Sequence, residues 1–273
     1  MYEILEKQVL SETVKLMKIN APLVAKKAQA GQFIILRIDE SGERIPLTIA
    51  DYNKKEGTVT VIFMEVGKTT KQLGKMKVGD NLLNFVGPLG NPSEIKKYGT
   101  VIMIGGGVGI APLYPVVREL KKIGNYVISI LGARNEKLLM LEKEISKYSD
   151  ELFITTDDGS KGHKGFVSDI LQKLIDEGRK IDMVMAIGPI IMMKVVADVT
   201  RPYKIKTLVS LNPIMVDGTG MCGGCRVSVG NKIKFACVDG PEFDGHLVDF
   251  NNLNLRNRRF LCQEEESCKS AEV

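Results

Sequence analysis

The segment from Met215 to Phe250 constrains this chain most. It carries Cys222, Cys225 and Cys237, three of the five cysteines, in the spacing C-x2-C-x11-C. Gly218, Gly220, Gly223 and Gly224 crowd the same stretch. Glycine lets a backbone fold tightly round an object and bring its N–H groups close to it. An anionic sulfur cluster needs both properties, because N–H groups aimed at its sulfides offset its charge. A zinc site more often joins two Cys-x2-Cys or Cys/His pairs. Here one pair stands with a lone cysteine, and the only histidines are His163 and His246. Spacing alone leaves both metals open.

A length of 273 residues is too long for one small core and suits two or three domains. The net charge of +5 is small and scattered, which argues against nucleic-acid binding. No apolar run is long enough to span a bilayer. The opening MYEILEKQVL is charged and lacks an apolar stretch, so no secretory signal is expected. A C-x2-C pair without such a signal points to a reducing cytoplasm and metal chemistry, not disulfides.

Residues 1–97 contain six short runs rich in β-branched residues, separated by turn residues: ILEKQVL, TVKLMKI, QFIILRI, IPLTIAD, TVTVIFMEV and NLLNFVG. That spacing predicts a closed antiparallel barrel. Residues 98–210 change period. TVIMIGGG, NYVISILGAR, ELFITTDDG and DMVMAIGP read as strands; helices are expected after the glycine loop and over KLLMLEKEISKY, VSDILQKLIDEG and IIMMKVVADVTRPY. Alternation of this kind predicts a doubly wound parallel sheet with ligands at the carboxyl ends of its strands. Residues 211–273 then form a small loop domain and a tail. Arg256, Arg258 and Arg259, followed by Glu264 to Glu266, suggest a solvated, mobile end or a docking strip.

With Asp217 in front, the cysteine pattern becomes D-x4-C-x2-C-x11-C, which matches the C-x4-C-x2-C opening of plant-type [2Fe–2S] ferredoxins. The loop VDGTGMCGGC resembles that of the iron–sulfur flavoprotein subunits related to the dihydroorotate dehydrogenase electron-transfer subunit. Aspartate in the first position is similar to the small subunits of NADH-dependent reduced ferredoxin:NADP+ oxidoreductases. The resemblance implies Asp217, Cys222, Cys225 and Cys237 as ligands of a [2Fe–2S] cluster. On the residues alone, Asp217 could be a turn residue while Cys262 closes the site; Cys268, like Cys262, reads as a free thiol.

GERIPLTIAD resembles the flavin motif of the ferredoxin reductase superfamily, in its R-P-[LI]-[ST] form. Pro46, Leu47 and Thr48 match it, whereas Ile45 takes the arginine's slot and Arg44 sits one earlier. A one-residue slip turns a strand side chain to the other face. IFMEVGKTTKQL matches the second flavin segment, through Ile62, Phe63, Met64 and Gly67, with Thr69 and Thr70 as pyrophosphate donors or as an ordinary helix cap. Gly105, Gly106, Gly107, Gly109, Ala111 and Pro112 resemble the superfamily's GGGxGxAP loop, which cradles a nicotinamide nucleotide. Gly132 and Arg134, Asp157 and Asp158, and Gly188 and Pro189 match the remaining strand ends. Met192 and Met193 suit a helix core as well as a ligand contact. Ile187 stands where many relatives have cysteine.

The fold expected is α/β plus β-barrel: a flavin-binding barrel, a nucleotide-binding sheet and a C-terminal [2Fe–2S] loop. The resemblance implies FAD, a [2Fe–2S] cluster and NAD(H), with chemistry carried by the flavin and no catalytic side chain. Asp157 and Asp158 favour NAD(H) over NADP(H), and Arg134 opposes that preference. A larger subunit with FAD and [4Fe–4S] clusters is the implied partner, reaching ferredoxin and NADP(H). Subunits of a dihydroorotate dehydrogenase or a sulfide dehydrogenase, and a zinc-loop binding module, are the rivals.

Overall fold

A computed structural model describes residues 1–270 of the chain. Seven strands build the barrel: β1 Tyr2–Val9, β2 Val14–Asn20, β3 Phe33–Arg37, β4 Ile45–Asn53, β5 Thr58–Met64, β6 Asn81–Leu82 and β7 Asn84–Leu89. Helices α1 (Pro22–Lys27) and α2 (Lys68–Lys75) lie between them. Each of the six expected runs is a strand, and the last is broken at Leu83. The sheet order is β6-β1-β2-β5-β4-β3-β7, every pairing antiparallel. β6 and β7 are consecutive in sequence yet sit at opposite edges. The sheet is therefore nearly closed by its own chain, where the Leu83 N–H bonds Ile38 O at 3.1 Å.

Period-two alternation decides which side chains enter the barrel. Val59, Val61 and Phe63 of β5 fill it, with Ile34 and Leu36 of β3. The intervening Ile62 faces outward into the core shared with the next domain. Phe33 and Ile35 also face outward, into a different core. The barrel thus packs on two neighbours through two of its walls.

The second sheet holds β8 Thr100–Gly106, β9 Tyr126–Ala133, β10 Glu151–Thr156, β11 His163–Lys164, β12 Met183–Ile187 and β13 Thr207–Ser210. Its order is β11-β10-β9-β8-β12-β13, all parallel. Helix α3 (Ile110–Lys122) and the short α4 (Glu142–Ser146) cover one face; α5 (Val167–Asp176) and α6 (Ile190–Thr200) cover the other. β8 accordingly buries Val101 and Met103 toward α3, and Ile102 and Ile104 toward α5 and α6. One expected helix is shorter than its sequence suggests. KLLMLEKEISKY forms a 3-10 turn at Glu136–Leu138, then an irregular piece with Leu141 left-handed (φ 53°), then α4. Leu139, Met140 and Leu141 all pack on the core, which one helical face could not achieve.

The C-terminal segment contains the hairpin β14 (Arg226–Val229) and β15 (Lys232–Phe235), helix α7 (Ala236–Asp239), strand β16 (Glu242–Asp244), and helices α8 (Phe250–Asn257) and α9 (Leu261–Ser270). β16 pairs antiparallel with β13, so this segment supplies the edge strand of the nucleotide sheet. The tail departs from the expected mobile end. α8 buries Phe250 and Leu253 against the core it shares with α6 and β14, and α9 packs near α2. Among the described residues no helix is long and apolar enough to cross a membrane.

Candidate cofactor cavity and cluster loop

A cavity of about 1050 Å³ opens between the barrel and the carboxyl ends of the parallel strands. The strand order reverses at β8 and β12, the place where open α/β sheets bind ligands. Pro46, Leu47 and Thr48 of β4 line the barrel side, as do Ile62, Phe63 and Met64 of β5 and the neighbouring Thr70. The sheet side comprises Gly106, Gly107, Gly109 and Pro112 after β8, Gly132 and Arg134 after β9, Asp157 after β10, and Gly188 and Pro189 after β12.

Six of the expected cofactor residues stand outside this cavity. Gly105 and Ala111 are packing positions: Ala111 is buried, and a Cβ on Gly105 would meet Ile110 and Leu113 at 3.0–3.1 Å. Thr69 is buried, its hydroxyl donating to Glu43 Oε2 at 2.9 Å. Gly67 caps α2. Thr70 lines the cavity, but its hydroxyl accepts the Val66 and Gly67 N–H groups and donates to Gly67 O, so it serves as the cap. Asp158 is turned away to accept from the Ser160 N–H and hydroxyl, bonds that hold its carboxyl below the usual carboxylate range. Arg44 lies instead on a smaller cavity of about 300 Å³ with Asp217, Thr219 and Met221. It precedes the first residue of β4, so no strand pleat directs it toward the flavin side.

The two methionines divide. Met193 is fully buried in the helix core, whereas Met192 lies over the glycine loop. A Cβ on Gly106 would come within 2.4 Å of Met192 Sδ, and one on Gly109 within 2.3 Å of Ile187 O. At Gly109 the backbone carbonyl leaves room only for glycine, whereas at Gly106 the Met192 thioether is the crowding group. Asp157 and the exposed Arg134 share the cavity rim, so opposite charges flank any dinucleotide bound there.

Around the cysteines the backbone turns through left-handed Gly218, Gly220 and Gly223, with φ of 73°, 86° and 65°. Cys225 and Cys237 are buried with their sulfurs 3.2 Å apart, too far for a disulfide. Burial and the neighbouring Cys225 push the Cys237 thiol up to about 12. Cys222 is exposed, and its sulfur receives the Gly224 N–H at 3.4 Å. Asp217 Oδ1 accepts from Thr219 N at 2.9 Å and Oδ2 from Cys222 N at 2.6 Å. These bonds, that from Thr219 first, hold the Asp217 carboxyl below its usual range. The structure thus joins Cys225 to Cys237 and Asp217 to the Cys222 backbone. Among the described residues no three His, Cys, Asp or Glu side chains converge on one point. Cys262 lies exposed on α9.

The loop leans on the barrel. A Cβ on Gly218 would meet Leu89 of β7 at 2.7 Å and Ile35 of β3 at 2.9 Å. Ile35 is the register partner of Pro46, and Ile34 of Leu47. β3 and β4 therefore touch both regions from one face of the sheet: Ile35 meets the cysteine loop, and its cross-strand neighbour Pro46 lines the large cavity.

Sequence reasoning missed several lining residues: Met140 in the irregular piece before α4, Phe166 before α5, Ile191 and Val195 on α6, and Leu211 and Asn212 after β13. The strand-end rule reaches Leu211 and Asn212 once β13 is recognised. No local pattern marks Phe166, which is 63% exposed.

Barrel, doubly wound sheet and cysteine loop define an oxidoreductase subunit of ferredoxin reductase-like fold. Residues 103–198 match the oxidoreductase NAD-binding domain, and residues 212–249 match the iron–sulfur cluster binding domain of dihydroorotate dehydrogenase B. A Thermotoga maritima protein, described as a dihydroorotate dehydrogenase B (NAD(+)) electron transfer subunit homolog, is 51% identical over 97% of this chain and 93% of its own length. The electron transfer subunit of Clostridium perfringens is 32% identical over 88% and 96%. A solved structure giving insights into flavin-based electron bifurcation via the NADH-dependent reduced ferredoxin-NADP oxidoreductase aligns with a TM-score of 0.95 and 48% identity, over 100% of this chain and 98% of that one. The chain belongs to the family of dihydroorotate dehydrogenase B electron transfer subunits and their homologues.

Proposed function

We propose that this chain is the NADH-oxidising subunit of an electron-bifurcating NADH/NADPH/ferredoxin oxidoreductase, holding FAD in the large cavity and a [2Fe–2S] cluster in the cysteine loop. Held in the cavity lined by Pro46, Leu47 and Thr48, FAD would supply the conversion between two-electron exchange with NADH and one-electron traffic to the cluster. The observation that carries this reading is the β3–β4 pair, whose neighbouring Ile35 and Pro46 touch the cysteine loop and the large cavity. Adjacent strands lie roughly 5 Å apart, so the cavity and the loop are separated by one or two such spacings.

The chain's residues supply position and electrostatics. Gly106, Gly107 and Gly109 let the loop backbone approach the nucleotide's pyrophosphate at the start of α3. Pro46, Leu47 and Thr48 line the flavin side and exclude water. Asp157 discriminates against a 2′-phosphate at the cavity rim. Asp217, Cys222, Cys225 and Cys237 are the cluster ligands. Their chemistry suits it: two adjacent buried thiols can bind iron as thiolates once it displaces their protons, the Gly224 N–H bonds a sulfur, and Asp217 is held ionised. The partner is a larger subunit carrying FAD and [4Fe–4S] clusters, through which ferredoxin and NADP(H) react.

The experiment is anaerobic mixing of the purified complex with NADH. Flavin bleaching should precede a [2Fe–2S] paramagnetic signal. Bleaching without that signal would exclude the cluster as acceptor. Kinship with dihydroorotate dehydrogenase B subunits supports a second reading, an electron-transfer subunit for that enzyme. Its mark is a native complex that oxidises dihydroorotate and lacks coupled ferredoxin and NADP+ reduction.

A further inference from the structure

The turn between Cys222 and Cys225 is bracketed by three guanidinium groups. Arg256 Nη2 and Arg259 Nη2 both donate to the same acceptor, Gly224 O, each at 3.3 Å. Arg226 lies over Gly223, its Nε 3.9 Å from where a Cβ would stand. Arg256 is half-buried, and its Nε is buried with no partner. None of the three makes an ion pair among the described residues. Two cations sharing one neutral carbonyl repel each other, and a third nearby adds to the cost, most of all for the half-buried one.

The arrangement is nevertheless rigidly built. α8 is anchored by buried Phe250 and Leu253 and capped by Asp249, whose carboxylate accepts the Asn252 N–H at 2.9 Å. Asn257 Nδ2 holds Asn212 O at 3.0 Å, at the start of the cysteine segment. The helix thus grips that segment at its beginning and at its central turn. A half-buried cation without an ion pair, flanked by two exposed ones, implies an anion opposite. The loop that they enclose carries the ligand set described above. A [2Fe–2S] centre held by three thiolates and a carboxylate is dianionic and gains a further negative charge on reduction.

We propose that Arg256, supported by Arg259 and Arg226, positions the Gly223–Gly224 turn and compensates the charge of the cluster, favouring its reduced form and raising its potential. This rests on the proposed function above. Positive charge near a redox centre stabilises the more negative state, and charge, hydrogen bonding and exposure set cluster potentials.

The test is a redox titration of the purified complex, followed by the [2Fe–2S] resonance at a temperature where faster-relaxing clusters are silent. Arg256→Gln should lower the reduced-to-oxidised ratio about tenfold at fixed potential, which for one electron is a midpoint about 59 mV lower. Arg259→Gln should shift the same way by less. Arg256→Lys, which keeps the charge, should stay near the parent midpoint. Loss of the cluster from Arg256→Gln alone, with retention in Arg256→Lys, also supports the proposal. Unchanged midpoints in both glutamine variants overturn it. So does a dissociated complex at the parent midpoint, because the cations would then face the partner. A parent protein without any [2Fe–2S] signal condemns the proposed function instead.

Discussion

Two glycine-rich loops face different tasks in this molecule, and they are built by different means. After β8, Gly109 is glycine because the backbone carbonyl of Ile187 leaves no room for a side chain, and Gly106 is crowded by the Met192 thioether. In the cysteine loop, Gly220 and Gly223 are glycines because the backbone is left-handed there, and their surroundings are comparatively open. The first loop is held from within, by strands and a helix buried on both faces. The second is held by the barrel at Gly218, by Asp217, and by Arg256 of α8 with Arg259 just beyond it. A dinucleotide cradle can be preformed, because its ligand comes and goes. A cluster loop can draw part of its order from a resident group.

The largest expected effect separates the two directly. Gly109→Ala drives a Cβ into the Ile187 carbonyl and should destabilise the protein by on the order of 3 kcal/mol. Gly224→Ala meets nothing closer than 3.5 Å and should cost roughly 0.5 kcal/mol. Thermal melts of the two variants check this, and equal losses would erase the contrast.

Next comes the seam between the two regions. Glu242 on β16 keeps part of its surface in solvent, but its carboxyl is enclosed between Gly31 and Ser93, whose hydroxyl donates to it. Burial pushes this carboxyl up to about 7 from 4.5, against the lowering effect of Ser93. A raised pKa in the folded state means stability is fully present below pH 4.5 and is lost as pH rises through about 7. Glu242→Gln should remove that loss and stabilise the protein at pH 8 by about 1–3 kcal/mol. Denaturant titrations at both ends of the range decide it, and a variant with the parent's pH slope contradicts it.

The smallest expected effect concerns the preformed cradle. Only Asp157 of the two aspartates lines the cavity. Asp157→Asn should therefore improve NADPH relative to NADH as the flavin's reductant by roughly tenfold, about 1.4 kcal/mol. Asp158→Asn should change the ratio little. Stopped-flow bleaching with each donor measures both, and the reverse order would mean that the turn at Ser160 opens on binding.

Legibility in the sequence follows the range of the interactions. The barrel strands could be read because alternation is local, and the glycine loop because it lies between a buried strand and a helix. β13 and β16, of four and three residues, exist only through each other and the sheet, so nothing nearby marks them. The helix expected over 137–148 gave way because three consecutive apolar residues all had to face inward. Arg44 sits one residue before the motif's arginine slot and lies outside the strand that would aim it. The arginines of the tail were legible as charge, but their common acceptor, Gly224 O, lies 32 and 35 residues away.

The account stands most directly on the contents of the cysteine loop. Anaerobically purified protein should yield iron and acid-labile sulfide in equal amounts, with one FAD per chain, and a [2Fe–2S] resonance after reduction. Asp217→Ala should make that cluster labile. Zinc without iron or sulfide, or an Asp217→Ala protein with unaltered cluster and spectrum, would contradict it.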